Sequence, residues 1–172
     1  MDKPATILAE AMLTDEQLKA VGCIAIESSN LETYIEAIIR NFLIISESDL
    51  DIFIGRLSVG PKADILRDVV KSRLHETAEW HAFLAIYNNI KTAITDRNTA
   101  VHGDWGLRLG SDEIIKRRQQ SLAQATRKNS TSTVNASELF NIAVRLANLQ
   151  MELLDWHQAL LVPSDASPDT CE

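Results

Sequence analysis

From Leu18 to Phe42 the apolar residues fall at steps of three and four: Leu18, Val21, Ile24, Ala25, Ser28, Leu31, Ile35, Ile38, Ile39 and Phe42. A strand cannot use that spacing, because its side chains alternate between two faces with a period of two. The pattern predicts one amphipathic helix running to about Leu43. Its start is marked by Thr14-Asp15-Glu16-Gln17. The Thr14 hydroxyl can accept the N–H of Gln17, and the Gln17 amide can reach back, which is a capping box.

The same period recurs downstream. Leu50, Phe53, Ile54 and Leu57 make a short helical stripe after Ser46 or Ser48, and Val59-Gly60-Pro61 is expected to stop it. Ile65, Leu66, Val69, Val70 and Leu74 predict a helix over 62–74, with Pro61 suited to its first turn. Trp80, Phe83, Leu84, Tyr87, Ile90, Ile94 and Val101 predict another over 77–102. Asn135 with Glu138 opens a last helix over 136–161, carrying Leu139, Ala143, Leu146, Leu149, Leu153, Trp156 and Leu160. Residues 4–12 are expected as one further short helix.

These elements predict an all-α fold, an up-and-down bundle of four to five helices, with a short hairpin or irregular insert near 105–133. Only 6 Gly and 4 Pro in 172 residues leave too few turns for a many-stranded sandwich. The length suits one domain, over 1–162. The stretch 163–172 lacks core-forming residues and is expected to be a disordered tail.

No run approaches 18 apolar residues, so no membrane-spanning helix is expected. The start Met-Asp-Lys-Pro lacks a basic region followed by an apolar core, so no secretion signal is expected either. Two cysteines, Cys23 and Cys171, are no disulfide framework, and a reduced cytoplasmic location is the default. The four histidines show no His-Glu-x-x-His spacing, so no metal ion or other cofactor is expected. His75 and Glu79, four apart, read as an exposed helix pair, and His157 as a residue favoured near a helix C-terminus by its dipole.

The formal charge of −7 argues against a general electrostatic binder of nucleic acid. The charge is uneven, however. Between Arg108 and Lys128 lie Arg108, Lys116, Arg117, Arg118, Arg127 and Lys128 against only Asp112 and Glu113. The remaining chain holds 11 basic and 22 acidic residues. This local basic segment is a candidate RNA- or partner-binding side, or simply a solvated face.

One cluster carries chemistry: Asp96-Arg97-Asn98-Thr99-Ala100-Val101-His102-Gly103-Asp104-Trp105. At about 100° per residue, Arg97 and His102 lie about 140° apart on a helix. They flank the apolar stripe on opposite sides, and Asn98 is expected within it. A polar residue there needs a partner, which a second chain docking along the stripe could supply. Asp96 reads as a partner of Arg97 or an exposed carboxylate. Trp105 reads as a lid over the helix end. Glu32 reads as a solvated helix position, with a supporting role near the cleft as the other reading.

Arg97-Asn98-x-x-x-His102 resembles the signature of the HEPN superfamily, the higher eukaryotes and prokaryotes nucleotide-binding domains. The surroundings are similar to a group of bacterial HEPN-like proteins: Val21-Gly22 through Leu31-Glu32 on an early helix, and His102-Gly103-Asp104-Trp105 after the motif. The resemblance covers about residues 14–161 and is sharpest over 96–105.

It implies a helical bundle, a homodimer, and in many members a metal-independent endoribonuclease, toxin or phage-defence effector. Others bind nucleotides or act only as assembly modules. A cognate antitoxin or regulatory protein would then be a partner. The chemistry agrees with the residues. RNA supplies its own 2′-hydroxyl nucleophile, histidine can move protons near neutral pH, and arginine can grip phosphate oxygens. Arg97, His102 and Asn98 are therefore the candidate catalytic residues. Asp96, Glu32 and Trp105 are candidate supports. Arg108, Lys116, Arg117 and Arg118 are candidate RNA or partner contacts. His102 at a helix C-terminus is biased toward its protonated form, and Arg97 biases it the other way. A non-catalytic dimerisation or nucleotide-binding module is the alternative.

Overall fold

The computed structural model describes residues 13–102, 104–107, 114–117 and 131–161. The expected helix over 4–12 and the tail 163–172 lie outside them. The described helices are α1 (Asp15–Leu43), α2 (Glu47–Ile54), α3 (Val59–Leu74), α4 (Ala78–His102) and α5 (Ala136–Leu161). Three short strands follow α4: β1 (Asp104–Leu107), β2 (Ile114–Arg117) and β3 (Thr131–Thr133). They form one antiparallel sheet in the order β1-β2-β3, with Asp104 opposite Arg117 and Trp105 opposite Lys116. Within the insert expected near 105–133 as a short hairpin or irregular segment, the described residues are strands, and 108–113 and 118–130 lie outside the described residues.

The caps explain where the helices begin. Thr14 and Gln17 close the expected capping box, and Asn135 with Glu138 closes a second at the start of α5. Ser46 caps α2 by accepting the N–H of Asp49. A Cβ at Gly55 would stand 2.5 Å from the Asp51 carbonyl oxygen, so α2 ends on glycine. Val59-Gly60-Pro61 starts α3 three residues earlier than expected instead of merely stopping α2. Pro61 is tolerated because first-turn N–H groups have no intrahelical partner.

Long-range contacts set the directions. Gln17 donates to the Val134 carbonyl, Gln150 to the Glu27 carbonyl, and Phe42 stacks on Trp156, so α1 and α5 are parallel. Tyr87 and Lys91 reach Asp64, and the Trp156 indole donates to the Glu79 carbonyl, so α4 is antiparallel to α3 and α5. The short α2 carries the chain back between α1 and α3. The result is the expected up-and-down all-α bundle, with the small sheet joining α4 to α5 at one end.

The core is Ala20, Ile24, Leu31, Ile35 and Ile39 of α1, Leu66 and Val70 of α3, Phe83 and Ile90 of α4, and Leu139, Leu146 and Leu153 of α5. Aromatic packing joins α4 to α5, with the Phe83 and Trp156 rings 4.8 Å apart. Three expected stripe residues, Leu18, Ala25 and Phe53, are exposed, while Gln17 and Ala20 face inward. The α1 face is centred a few tens of degrees from the sequence stripe, because the polar Gln17 is satisfied by Thr14 and Val134 and can be buried.

One histidine reading is corrected. His75 and Glu79 are not a helix pair, because α3 ends at Leu74 with His75 as its C-cap, and Glu76 has a left-handed φ of 69° before α4 starts. His157 stands near the C-terminus of α5 as expected and is buried there, and burial lowers its pKa below the ordinary 6.5. The unfolded chain therefore takes up this proton first. Stability from a neutral His157 is present above pH 6.5 and is lost as pH falls toward the folded value. Urea unfolding from pH 8 down to 5 should show this decline, and His157→Phe should flatten it.

Candidate functional site

The motif occupies the last turns of α4, beside the N-terminal ends of α1 and α5 and next to the sheet. Over 78–94 the inward positions of α4 are Trp80, Phe83, Tyr87, Ile90, Ala93 and Ile94. Ala93 opens a second buried row that Ala100, seven residues on, continues toward the end. Measured from Trp80, these alanines sit near about 220° and 200°, so the buried face rotates by several tens of degrees along the helix. Arg97, near about 260°, then falls on the inward side rather than at its edge.

That rotation corrects the expectation for Asn98. It is exposed rather than part of the buried stripe. Arg97 is half-buried, its Nε is shielded from solvent, and its NH1 donates to Asn98 Oδ1 at 3.0 Å. Asn98 thus orients one branch of the guanidinium from the solvent side. His102 is the final residue of α4.

Asp96 does not pair with Arg97 as one reading had it. Its Oδ2 accepts from Arg145 NH1 of α5 at 2.6 Å, tying the motif turn to the neighbouring helix. Both side chains are about half exposed, so the pair adds little stability but fixes position. Below it, Asn89 and Thr92 of α4 and Arg145, Asn148, Leu149 and Glu152 of α5 line a groove of about 300 Å³.

Glu32 stands elsewhere. With Glu36, one turn on, it accepts from the Lys62 ammonium of α3. The Lys62 side chain is only 3% exposed. Burial alone would lower its pKa, but the hydrogen bonds and charges of the two carboxylates outweigh burial and raise it. A third polar group joins α3 to α4. Tyr87 donates to Asp64 at 2.7 Å, Lys91 to Asp64 at 2.9 Å, and Arg67 to the Tyr87 oxygen at 3.0 Å. Hydrogen bonds from Lys91 and Tyr87 hold the Asp64 carboxyl below its usual range.

Sequence spacing missed Lys62, Glu36, Arg145 and the Asp64–Tyr87–Lys91 group, because each is completed by a residue from another helix. Nothing local marks Lys62, which stands directly after Pro61.

Trp105 lies in β1, and Lys116 and Arg117 lie in β2. Arg108 and Arg118 lie outside the described residues. Among the described residues, no three His, Cys, Asp or Glu are grouped to hold a metal ion, and no helix is long and apolar enough to cross a membrane. No protein-family model, curated protein or solved structure matches the chain.

Proposed function

We propose that this chain is a metal-independent endoribonuclease of HEPN type, acting as a cytoplasmic homodimer with Arg97, Asn98 and His102 at its site. The observation that supports it best is the Arg97–Asn98 contact in the final turns of an unbroken α4 that ends at His102. Five helical steps, with four residues between, carry Arg97 to His102, about 7.5 Å along the axis. One chain cannot easily supply both the base and the acid with a single histidine. A two-fold dimer brings two histidines and two arginines to one phosphate.

The base takes the proton of the 2′-hydroxyl as its oxygen attacks phosphorus. The bond from phosphorus to the 5′-oxygen breaks, and the acid protonates that oxygen. Arginine holds the phosphate oxygens as charge builds on them. The products are a 2′,3′-cyclic phosphate and a 5′-hydroxyl. A toxin or defence role, with a cognate antitoxin or regulatory protein, fits such an activity.

The net charge of −7 favours a second reading, a non-catalytic dimerisation or nucleotide-binding module, since RNA must approach an acidic surface. Incubating the purified chain with total RNA in chelator decides between them. Discrete cleavage that disappears in His102→Ala supports the nuclease, and intact RNA favours the module. Arg117→Glu with Arg118→Glu tests the basic segment. Losing two single-strand phosphate contacts should weaken RNA binding and flatten the log–log salt slope by about 1.4. Unchanged affinity in filter binding would make the segment a solvated surface.

A further inference from the structure

We propose that two copies of this chain pair across the outer side of α1 and α5, with the two α5 helices antiparallel about a two-fold axis at Ala147. Besides its buried face, α5 carries a second apolar row: Phe140, Val144, Ala147, Met151 and Leu154. The steps are four, three, four and three, the spacing of a seam between two helices. Phe140 is 37% exposed, Val144 and Met151 are each 56% exposed, and Ala147 and Leu154 are half-buried. Large apolar side chains in line on a solvent-facing helix mark an interaction surface.

The neighbouring helix widens this face. Gln150 donates to the Glu27 carbonyl, so these two residues mark the joint between the parallel α1 and α5. At about 100° per residue, the α5 row is centred about 80° round from Gln150, on the side away from the core. A row on α1, made of Cys23, Ile26, Asn30, Thr33 and Ala37, is centred about 80° round from Glu27, again away from the core. The two rows therefore share one side of the bundle, and Ile26 is 60% exposed there. The α5 row is about 21 Å long. One such strip is too narrow for a stable dimer, which buries about 800 Å² on each partner, and the α1 row supplies further width.

Register and charge select a second copy as the occupant. A two-fold axis makes every contact occur twice, residue i on j and j on i. With the axis at Ala147, Phe140 meets Leu154 of the second copy and Val144 meets Met151, while the smallest side chain of the row sits at the axis. Along the edge nearer α4, Asn141 meets Asp155 and Asn148 meets Asn148, so no like charges are opposed. The Gln17–Val134, Glu27–Gln150 and Phe42–Trp156 ties set Ala147 about level with Asn30. The same axis then brings Asn30 beside Asn30, an uncharged polar pair of the kind that fixes register. In a chain at −7, neither row holds a carboxylate to repel its copy. A basic partner finds no counter-charge in these rows, and an anionic membrane finds no Lys or Arg in them. Antiparallel pairing carries the two α4 C-termini to opposite ends. Arg145, which reaches α4, also stands about 100–180° round α5 from the row. This contact is thus separate from one that pairs the motifs and does not rest on the nuclease reading. Where both form, the assembly is larger than a dimer.

The test is disulfide trapping in the full chain carrying Cys23→Ser/Cys171→Ser, oxidised with copper phenanthroline. Ala147→Cys should link to itself. In Phe140→Cys or Leu154→Cys alone, the like residues of two copies stand about 21 Å apart along the seam, so each should stay unlinked alone and link when the two are mixed. Val144→Glu/Met151→Glu sets carboxylates against each other and should weaken self-association by about 100-fold or more in sedimentation, with helical circular dichroism unchanged. These readouts need no RNA, so they stand whichever way the cleavage assay falls. Absence of linkage at Ala147→Cys, or equal linkage of Phe140→Cys alone, would overturn the proposal. If the unlinked thiol at 147 also resists a maleimide, residues 1–12 cover the row; if it reacts freely, the row is left to an unlike protein. Both outcomes count against a second copy.

Discussion

His102→Ala should lower RNA cleavage by about 100-fold or more, and Arg97→Ala should do the same by a different route. Removing a general acid or base costs about 10²- to 10⁴-fold, and removing one positioned charge from the transition state costs about 10²- to 10³-fold. The two losses should separate with pH. His102→Ala removes a titrating group and should flatten the rate profile near neutrality, whereas Arg97→Ala should lower the profile without changing its shape. A substrate with 2′-deoxyribose at the cut should be inert, since its nucleophile is gone. Asn98→Ala should cost less than either, because Asn98 accepts one hydrogen bond from Arg97 and acts by orienting it. Lys in place of Arg97 should not rescue, as an ammonium lacks the planar fork. Arg97 lies on the inward side of α4, so urea unfolding of each variant must accompany the rates. Full activity of His102→Ala, or cleavage that requires a divalent ion, would remove the nuclease reading.

The elements were legible where local chemistry decides them. Thr14–Gln17 and Asn135–Glu138 mark helix starts by hydrogen bonds three residues long, and every residue of the apolar period from Leu139 to Trp156 is buried in α5, with Gln150 added to that face. What depends on a neighbour was not legible. Asn98 was expected inside the stripe because one angle was assigned to the whole of α4. Ala93 and Ala100 turn the face gradually, and small residues count little in a stripe drawn from large ones. Phe53 was placed in the core on hydrophobicity alone, whereas α2 buries only Leu50 and Ile54. At the motif, sequence identified the residue types. The Asp96–Arg145 tie needed the antiparallel packing of α4 on α5, a 49-residue separation that no local pattern carries.

The largest expected stability effect concerns Lys62. Lys62→Met should destabilise the fold by about 3 kcal/mol, the scale for removing one partner of a buried ionic group. Glu32 and Glu36 would then stand one helical turn apart, each about a third exposed, with no cation between them. Like charges so placed raise the pKa of at least one carboxylate. The variant should therefore recover stability as pH falls toward 5, opposite to the His157 trend. Glu32→Gln/Glu36→Gln added to Lys62→Met should restore most of the loss, because a neutral polar pair no longer needs an ion. The alkaline side gives an independent check. The folded pKa of Lys62 is raised above the ordinary 10.5, so its contribution is complete below 10.5 and is lost as pH rises through the folded value. Unfolding followed by circular dichroism should show that loss in the unmodified chain and not in the triple variant. The single Glu32→Gln also separates structure from chemistry. As a partner of Lys62 it should lower stability and leave the cleavage rate unchanged, while a rate loss that exceeds the unfolded fraction would return Glu32 to the site.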